Sequence, residues 1–432
     1  MNGEGLRVPT LYLSRTGMLE PLGQSQVLSY IVGLSKDFDI TLISFERGED
    51  LADNAELARI ERLCDDYGIR WVRLRYLHRP RLLAAAWNLV LLFWQTYREA
   101  RRSKAQLIHA RSYIAAAAAW AVSRLRRIPY IFDMRSLWPE ELITSRRLRR
   151  DSLLHRVIFW AERLLITDAS IVVSLTRAGA RYLADTHPGA LGDERLWVIP
   201  TCADLDRFHP ALEPDTREGG PLIGCHGSLT SGWFRIDLLA KMFDLIAERL
   251  PGARFEIITR EDPTTVRDAL EASRDNAATA GSGNVLSGGS PEWRAGLSIS
   301  AAKPSDIHVR LQRQDLSVFF YASGAASELG RSPTRMGEAL GCGVPVVTNE
   351  GIGDVAEIIR DGNVGVVIDG EDPAALARAA DAAVAILLDA AVAERCRQVA
   401  ERIYSLDAGI RSYREIYRTL GAGEDSGDLL PN

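Results

Sequence analysis

The sequence predicts an α/β protein built as two doubly wound domains in tandem. Three observations carry this. Short apolar runs alternate with helical patterns along most of the chain, as βαβ units with parallel strands require. A stretch rich in Pro, Gly and charge, residues 205–220 (LDRFHPALEPDTREGG), splits that alternation into two series. The chain has 432 residues, 47% hydrophobic and 25% charged, the size and balance of two to three ordinary soluble domains. The same balance excludes disordered, collagen-like and disulfide-scaffold classes.

The first series opens with Thr10–Ser14 (TLYLS), a strand followed by a Gly- and Pro-bearing loop, GMLEPLGQSQ. Val27–Leu34 follows as a helix and Asp39–Phe45 as the second strand. Strands are then expected at Arg70–Arg73, Leu107–His109, Tyr130–Asp133, Ala169–Ser174 and Leu196–Ile199. The second series holds Leu222–His226, Arg254–Thr259, Leu316–Phe320, Val344–Thr348 and Gly365–Ile368, with a helix at Ile236–Leu250. A further helix begins at Asp372-Pro373, a cap followed by a first-turn proline. The expected domains are 1–204 and 221–404, with 205–220 as linker and 421–432 as a loose tail. Tandem doubly wound sheets place a ligand cleft outside the carboxyl ends of their strands.

Charge is unevenly spread. Residues 1–210 hold 30 Lys+Arg against 24 Asp+Glu, a balance of +6, and residues 211–432 hold 22 against 33, a balance of −11. A basic half suits an anionic partner, phosphates or a membrane surface. No dense basic tract with interleaved aromatics supports nucleic acid. The five cysteines are widely spaced and form no CxxC pair, so a zinc or redox motif has no support and a reducing compartment fits. The opening MNGEGLRVPT carries no apolar signal core, and the chain reads as cytoplasmic. Two segments combine apolar and basic residues. Residues 82–94 (LLAAAWNLVLLFW) have twelve apolar residues in thirteen, with Arg79 and Arg81 before and Arg98, Arg101, Arg102 and Lys104 after. This is short of the ~20 needed to span a bilayer, and reads as a buried helix or one lying in a membrane surface. In 145–165, Leu154, Val157, Ile158, Ala161, Leu164 and Leu165 share a face that reads as core, behind four arginines, Arg146, Arg147, Arg149 and Arg150.

The block Arg331–Val347 (RSPTRMGEALGCGVPVV) carries the most chemistry. Ser332 is placed to cap a helix and Pro333 to fill its first turn. Such a helix end binds phosphate, and Arg331 and Arg335 add fork-shaped donors. Glu338, one turn on among small residues, suits a pair of sugar hydroxyls.

RSPTRMGEALGCGVPVVTNEGIGDVAEII resembles the nucleotide-sugar block of GT-B glycosyltransferases of family 4. RVPTLYLSRTGMLEPLGQSQV, IHARSY, IPYIFDMRSLWPEE, SIVVSLTRAG, VIPTCADLDRF and GCHGSL match further segments of that family in order. ERIYSLDAGIRSYREIYRTL resembles the closing helix that returns to the first domain, expected at 405–420. The resemblance implies two Rossmann-like domains facing across a cleft, the first for acceptor and the second for donor. It implies retaining transfer from a UDP- or GDP-sugar to a glycan, lipid-linked glycan or metabolite hydroxyl, and no metal is needed if Arg331, Arg335 and the helix end meet the diphosphate charge. Glu338 takes the ribose-binding position. Ser332, Pro333 and Thr334 take the diphosphate turn, Arg335 the place of a common Lys, and Gly23 the glycine loop. Arg135 stands where many relatives have a catalytic His, and His109 ends the preceding strand.

Three departures accompany the resemblance. Gly330 stands eight positions before Glu338, where many relatives have a first glutamate, and Glu328 is two residues out of register. GSLTSGWFRIDLLAKMF lacks the common Lys-Gly, leaving Arg235 or Lys241 as substitutes. Arg135 stays protonated and so offers charge stabilisation rather than base catalysis. No Asp-x-Asp pair is placed to hold a metal. A nucleotide-sugar epimerase or hydrolase, or a non-catalytic nucleotide-sugar binding protein, are the alternatives on the same fold.

Overall fold

The computed structural model describes residues 7–212, 219–279 and 292–421. They form two α/β units. One comprises residues 7–200, 325–331 and 406–421; the other comprises 201–324 and 332–405.

The first unit holds a seven-stranded parallel sheet. Its strands are β1 (Val8–Ser14), β2 (Phe38–Glu46), β3 (Arg70–Arg75), β4 (Leu107–Arg111), β5 (Tyr130–Asp133), β6 (Ile171–Ser174) and β7 (Leu196–Val198), in the order β3-β2-β1-β4-β5-β6-β7. Helices cover both faces of a parallel sheet, so its strands read as apolar runs. Leu11, Leu13, Ile43, Ile108, Phe132 and Val172 form the core accordingly. The strand order reverses between β1 and β4, the place where such sheets bind ligands beyond their carboxyl ends.

The second unit has six parallel strands: β8 (Leu222–His226), β9 (Arg254–Ile258), β10 (Ser298–Ser300), β11 (Leu316–Val318), β12 (Val346–Asn349) and β13 (Gly365–Ile368). Their order is β10-β9-β8-β11-β12-β13, with the reversal between β8 and β11. The helix Pro373–Ile386 is capped as its sequence predicts: the Asp372 carboxylate accepts from the Ala374 and Ala375 amides at 3.0 Å. Leu205 and Phe208, placed by the sequence in the linker, are buried in this unit's core. Residues 213–218 of that linker and 422–432 of the expected tail lie outside the described residues.

The helix Leu406–Gly421 belongs to the first unit and packs on the helix Ser29–Leu34. Gly33 makes this possible, since a Cβ there would run into Ile410. Arg414 and Arg418 grip Asp37 at 2.7 and 3.1 Å.

The two apolar-basic segments are the helices Arg81–Ser103 and Leu153–Asp168. Each is only partly buried: Leu92 of the first and Leu165 of the second lie in the core, whereas Leu154 and Val157, also expected there, are exposed. No helix among the described residues is long and apolar enough to cross a membrane.

Candidate functional site

In the first unit, the carboxyl ends of β4 and β5 bring charged side chains together at the strand-order reversal. Asp133 ends β5 and is buried. Its carboxylate lies 3.4 Å from His109 Nε2, 3.6 Å from Arg111 Nη1 and 3.3 Å from Arg135 Nη1. Burial alone would raise its pKa, but Arg135, His109 and Arg111 together hold it well below the usual carboxylate range. Two guanidinium groups thus share one carboxylate. Arg135 Nη2 is buried without a hydrogen-bond partner among the described residues. A buried donor left unpaired in this way is costly, and an oxygen-rich anionic ligand would relieve it. Burial pushes the neighbouring Tyr12 hydroxyl up to about 12, so it stays protonated.

His109, expected as a catalytic residue, lies in β4 beside Asp133. Its ring is fully buried against Tyr12, Tyr413 and Tyr417. Nδ1 meets the Tyr417 hydroxyl at 2.8 Å and Nε2 faces Asp133. Burial lowers its pKa, outweighing Asp133. A neutral ring must therefore carry its hydrogen on Nε2 and donate to Asp133, because a carboxylate only accepts. Both nitrogens are used, which makes His109 a positioning residue for Asp133. Gly23 closes the helical turn Pro21–Gly23, and a Cβ there would run into the Gly17 carbonyl oxygen. Its small size serves packing of the loop on itself.

In the second unit, the helix Thr334–Gly341 starts one residue later than the sequence suggests, with Pro333 at the cap and no capping side chain. Ser332 is turned away from the helix: its Oγ accepts from the Thr201 amide at 3.2 Å. Arg335 lies with its guanidinium carbon 5.4 to 5.8 Å from the ring centres of Phe234, Phe319 and Tyr321. Its Nη2 donates to the Ser228 carbonyl at 3.3 Å. Its Nη1 is buried without a partner among the described residues. Gly227 has φ +104° and leaves the space Arg335 fills, since a Cβ would meet the guanidinium. Glu338 sits one turn on and accepts from His226 Nε2 at 3.0 Å. Burial lowers the His226 pKa against the pull of Glu338. The ring is therefore neutral and donates through Nε2, leaving Glu338 free to accept more.

Arg331 belongs to the first unit, where its Nε pairs with Glu328 at 2.9 Å and its Nη2 lies 3.9 Å from Glu141. Glu328 itself is buried, and burial raises its pKa, with Arg331 opposing. Arg235 pairs with Asp237 and Glu371 at 2.8 and 2.7 Å. Among the described residues no group of His, Cys, Asp and Glu could hold a metal ion.

Two family models match the chain: Glycosyltransferase Family 4 over residues 24–207 and Glycosyl transferases group 1 over residues 220–385. The chain belongs to the family 4, group 1 GT-B glycosyltransferases. Solved structures agree on the fold. A glycosyltransferase of Rickettsia africae is 13% identical, with a TM-score of 0.69 over 97% of this chain and all of the other. Sucrose-phosphate synthase of Thermosynechococcus elongatus is 14% identical, with a TM-score of 0.67 over 97% of this chain and all of the other. Anabaena HepE, in complex with UDP and glucose, is 14% identical, with a TM-score of 0.66 over 96% of this chain and all of the other. No curated protein matches the chain by sequence.

The two neutral histidines give this glycosyltransferase an expected pH profile. His109 and His226 both titrate below the ordinary imidazole value of about 6.5 in the folded state. Just below that value the unfolded chain binds more protons than the folded one. Stability from this source is full above about pH 6.5 and is lost as the pH falls towards the folded-state pKa values. Thermal melts should show Tm dropping between about pH 7 and pH 5, with a shallower drop in His226→Gln. A profile that is flat, or unaltered by the substitution, would contradict this assignment.

Proposed function

We propose that the chain moves a sugar from a nucleoside-diphosphate sugar, of UDP or GDP type, to an acceptor hydroxyl with retention of anomeric configuration. The acceptor is a glycan, a lipid-linked glycan or a metabolite. Of these, a lipid-linked acceptor met at the inner face of an anionic membrane agrees best with the basic first unit.

The observation that carries the donor assignment is Arg335, a half-buried guanidinium packed against three aromatic rings with its Nη1 buried and unpartnered among the described residues. It stands one residue into a helix whose first amides have no side-chain cap. A departing diphosphate gains negative charge on its oxygens. Donors fixed in advance stabilise that charge without reorganising, and a helix start favours it further. In this scheme Arg335 and the helix start carry the charge without a metal ion. Glu338, steadied by His226, accepts from the ribose hydroxyls. Arg135 in the first unit stabilises charge on the reacting sugar phosphate or acceptor and cannot take a proton.

Titration calorimetry with UDP and with GDP tests the donor site and selects the base. Glu338→Ala should weaken nucleotide binding by about 1–3 kcal/mol, roughly five- to 150-fold, as buried hydroxyl hydrogen bonds are lost. Unchanged affinity in a folded variant would remove Glu338 from the site. Turnover assays over a panel of UDP- and GDP-sugars, with and without acceptor, separate transfer from hydrolysis and from binding alone.

A further inference from the structure

The helix Arg81–Ser103 buries Ala84, Leu92 and Ala100, yet it also buries polar side chains and exposes an apolar stripe. Its buried residues include Asn88, Gln95, Thr96 and Glu99, while Leu83, Trp87, Val90 and Trp94 are 70, 55, 58 and 53% exposed. These four recur at helical spacing and form one stripe. The inward polar groups are held: Asn88 exchanges hydrogen bonds with the backbone of Leu77 at 2.7 and 3.3 Å, and Glu99 is gripped by Arg70 and Arg102. The register is thus fixed by buried polar bonds. The tryptophans face outward because the polar side is already committed.

The helix Leu153–Asp168 repeats the pattern. Glu162 is buried and bonded to Tyr113 and His187 at 2.7 and 3.0 Å. Leu153, Val157 and Trp160 are 78, 52 and 64% exposed. Both helices flank and contact the helix Tyr113–Arg126. All three are crossovers running the same way along the sheet, β3 to β4, β4 to β5 and β5 to β6. Right-handed crossovers in one direction share one face of the sheet. An open apolar depression of about 460 Å³, lined by Leu77, Pro80, Leu83, Trp87 and Val90 among others, lies at the start of the first helix.

We infer that this helical layer of the first unit is an interfacial docking surface for an anionic lipid bilayer. The surface deepens the lipid-linked-acceptor reading above and rests on it for its purpose alone. Exposed tryptophans beside cations are the composition of the headgroup region, where an aromatic ring has an apolar body and a polar N–H to satisfy. The charge complements anionic lipid. Arg101 and Lys104 at the end of the first helix are exposed, as are Arg126 and Arg127 at the end of the middle one and Arg146, Arg147 and Arg149 before the third; Arg98 and Arg102 are exposed too but paired with Glu99, Arg124 with Asp168 and Arg150 with Glu140. From residue 100 to residue 132 the chain has no Asp or Glu at all. Arg98 also lies 5.3 Å over the Trp94 ring, coupling a cation to an anchor. With no helix among the described residues able to cross, the helices would lie in the plane of the surface.

Flotation with vesicles of phosphatidylglycerol and phosphatidylcholine, against phosphatidylcholine alone, tests this on the full chain. Wild type should float with the anionic vesicles at low salt and be released by high salt. Trp87→Ser/Trp94→Ser/Trp160→Ser should remain with the soluble fraction. Arg146→Ser/Arg147→Ser/Arg149→Ser should lower anionic binding about fivefold per arginine, with each basic residue near such a surface contributing comparably. Brominated phosphatidylglycerol should quench tryptophan emission of the wild type, a readout that needs no variant to fold. Failure of wild type to float, absence of quenching, or a tryptophan variant that floats as wild type does would overturn the proposal. So would a wild-type dimer, seen by light scattering, that the tryptophan variant breaks without vesicle binding; the face would then join two copies. UDP and GDP titrations on the same preparations keep the two readings apart. Docking by a protein that binds neither nucleotide leaves this surface standing and defeats the donor assignment, and the reverse result defeats the surface alone.

Discussion

Exchanging Arg135 for alanine should lower kcat by roughly two to three orders of magnitude, the usual loss when one preorganised donor to developing charge is removed. The geometry explains why turnover should suffer more than folding. Asp133 is the buried acid that Arg135 faces, yet it keeps Arg111 at 3.6 Å and His109 at 3.4 Å when Arg135 is gone. The carboxylate is not orphaned, so Tm should fall by only a few degrees, as for about 1 kcal/mol in a large domain. Arg135 Nη2, by contrast, has no partner among the described residues, and its loss is felt where a substrate oxygen would have met it. Arg135→Lys should recover part of the rate, since it restores the charge without the fork. Steady-state kinetics with saturating donor decide the matter. Wild-type turnover in a folded Arg135→Ala protein would remove the residue from the reaction, and a collapse of Tm matching the loss of rate would make its role structural.

The fold was legible because parallel strands buried on both faces leave unbroken apolar runs. TLYLS, DITLISF and YIFD each became a strand within a few residues of where the sequence places them. β10, Ser298–Ser300, escaped notice because an edge strand of Ser-Ile-Ser has neither length nor apolar pattern. The donor helix was legible from Pro333 and the spacing of Arg335 and Glu338. Its supports were not. Gly227 and His226 come from the end of β8, and nothing in the local sequence says that one clears space for Arg335 while the other donates to Glu338. A polar residue and a glycine directly after a buried strand were the available signal. The contact of Arg331 with Glu141 was not legible either, because that carboxylate comes from a distant part of the chain. The helix Arg81–Ser103 shows a further limit. Twelve apolar residues in thirteen look like core, and only the buried pairing of Asn88 with Leu77 and of Glu99 with Arg70 reveals which side faces in.

Replacing Arg335 by alanine should cost the largest share of nucleotide affinity. A hydrogen bond from a charged group is worth about 1.5–3 kcal/mol, so losing one to a phosphate oxygen weakens binding roughly 10- to 150-fold. Two features place Arg335 near the upper end. Its guanidinium lies over Phe234, Phe319 and Tyr321, which fix its position, so little freedom is lost when it meets a ligand. Its Nη1 is already dehydrated and unpartnered among the described residues, so a phosphate oxygen arriving there does not displace an existing bond. Lysine should restore only part of the affinity, because an ammonium neither stacks on three rings nor offers parallel donors. The variants also separate the site's two halves. Arg335→Ala should weaken UDP strongly and uridine hardly at all, whereas Glu338→Ala should weaken both, since the ribose is common to them. Calorimetric titration of UDP and uridine into both variants supplies the comparison. Equal losses for UDP and uridine in Arg335→Ala would mean that the guanidinium holds the site together rather than binding the diphosphate.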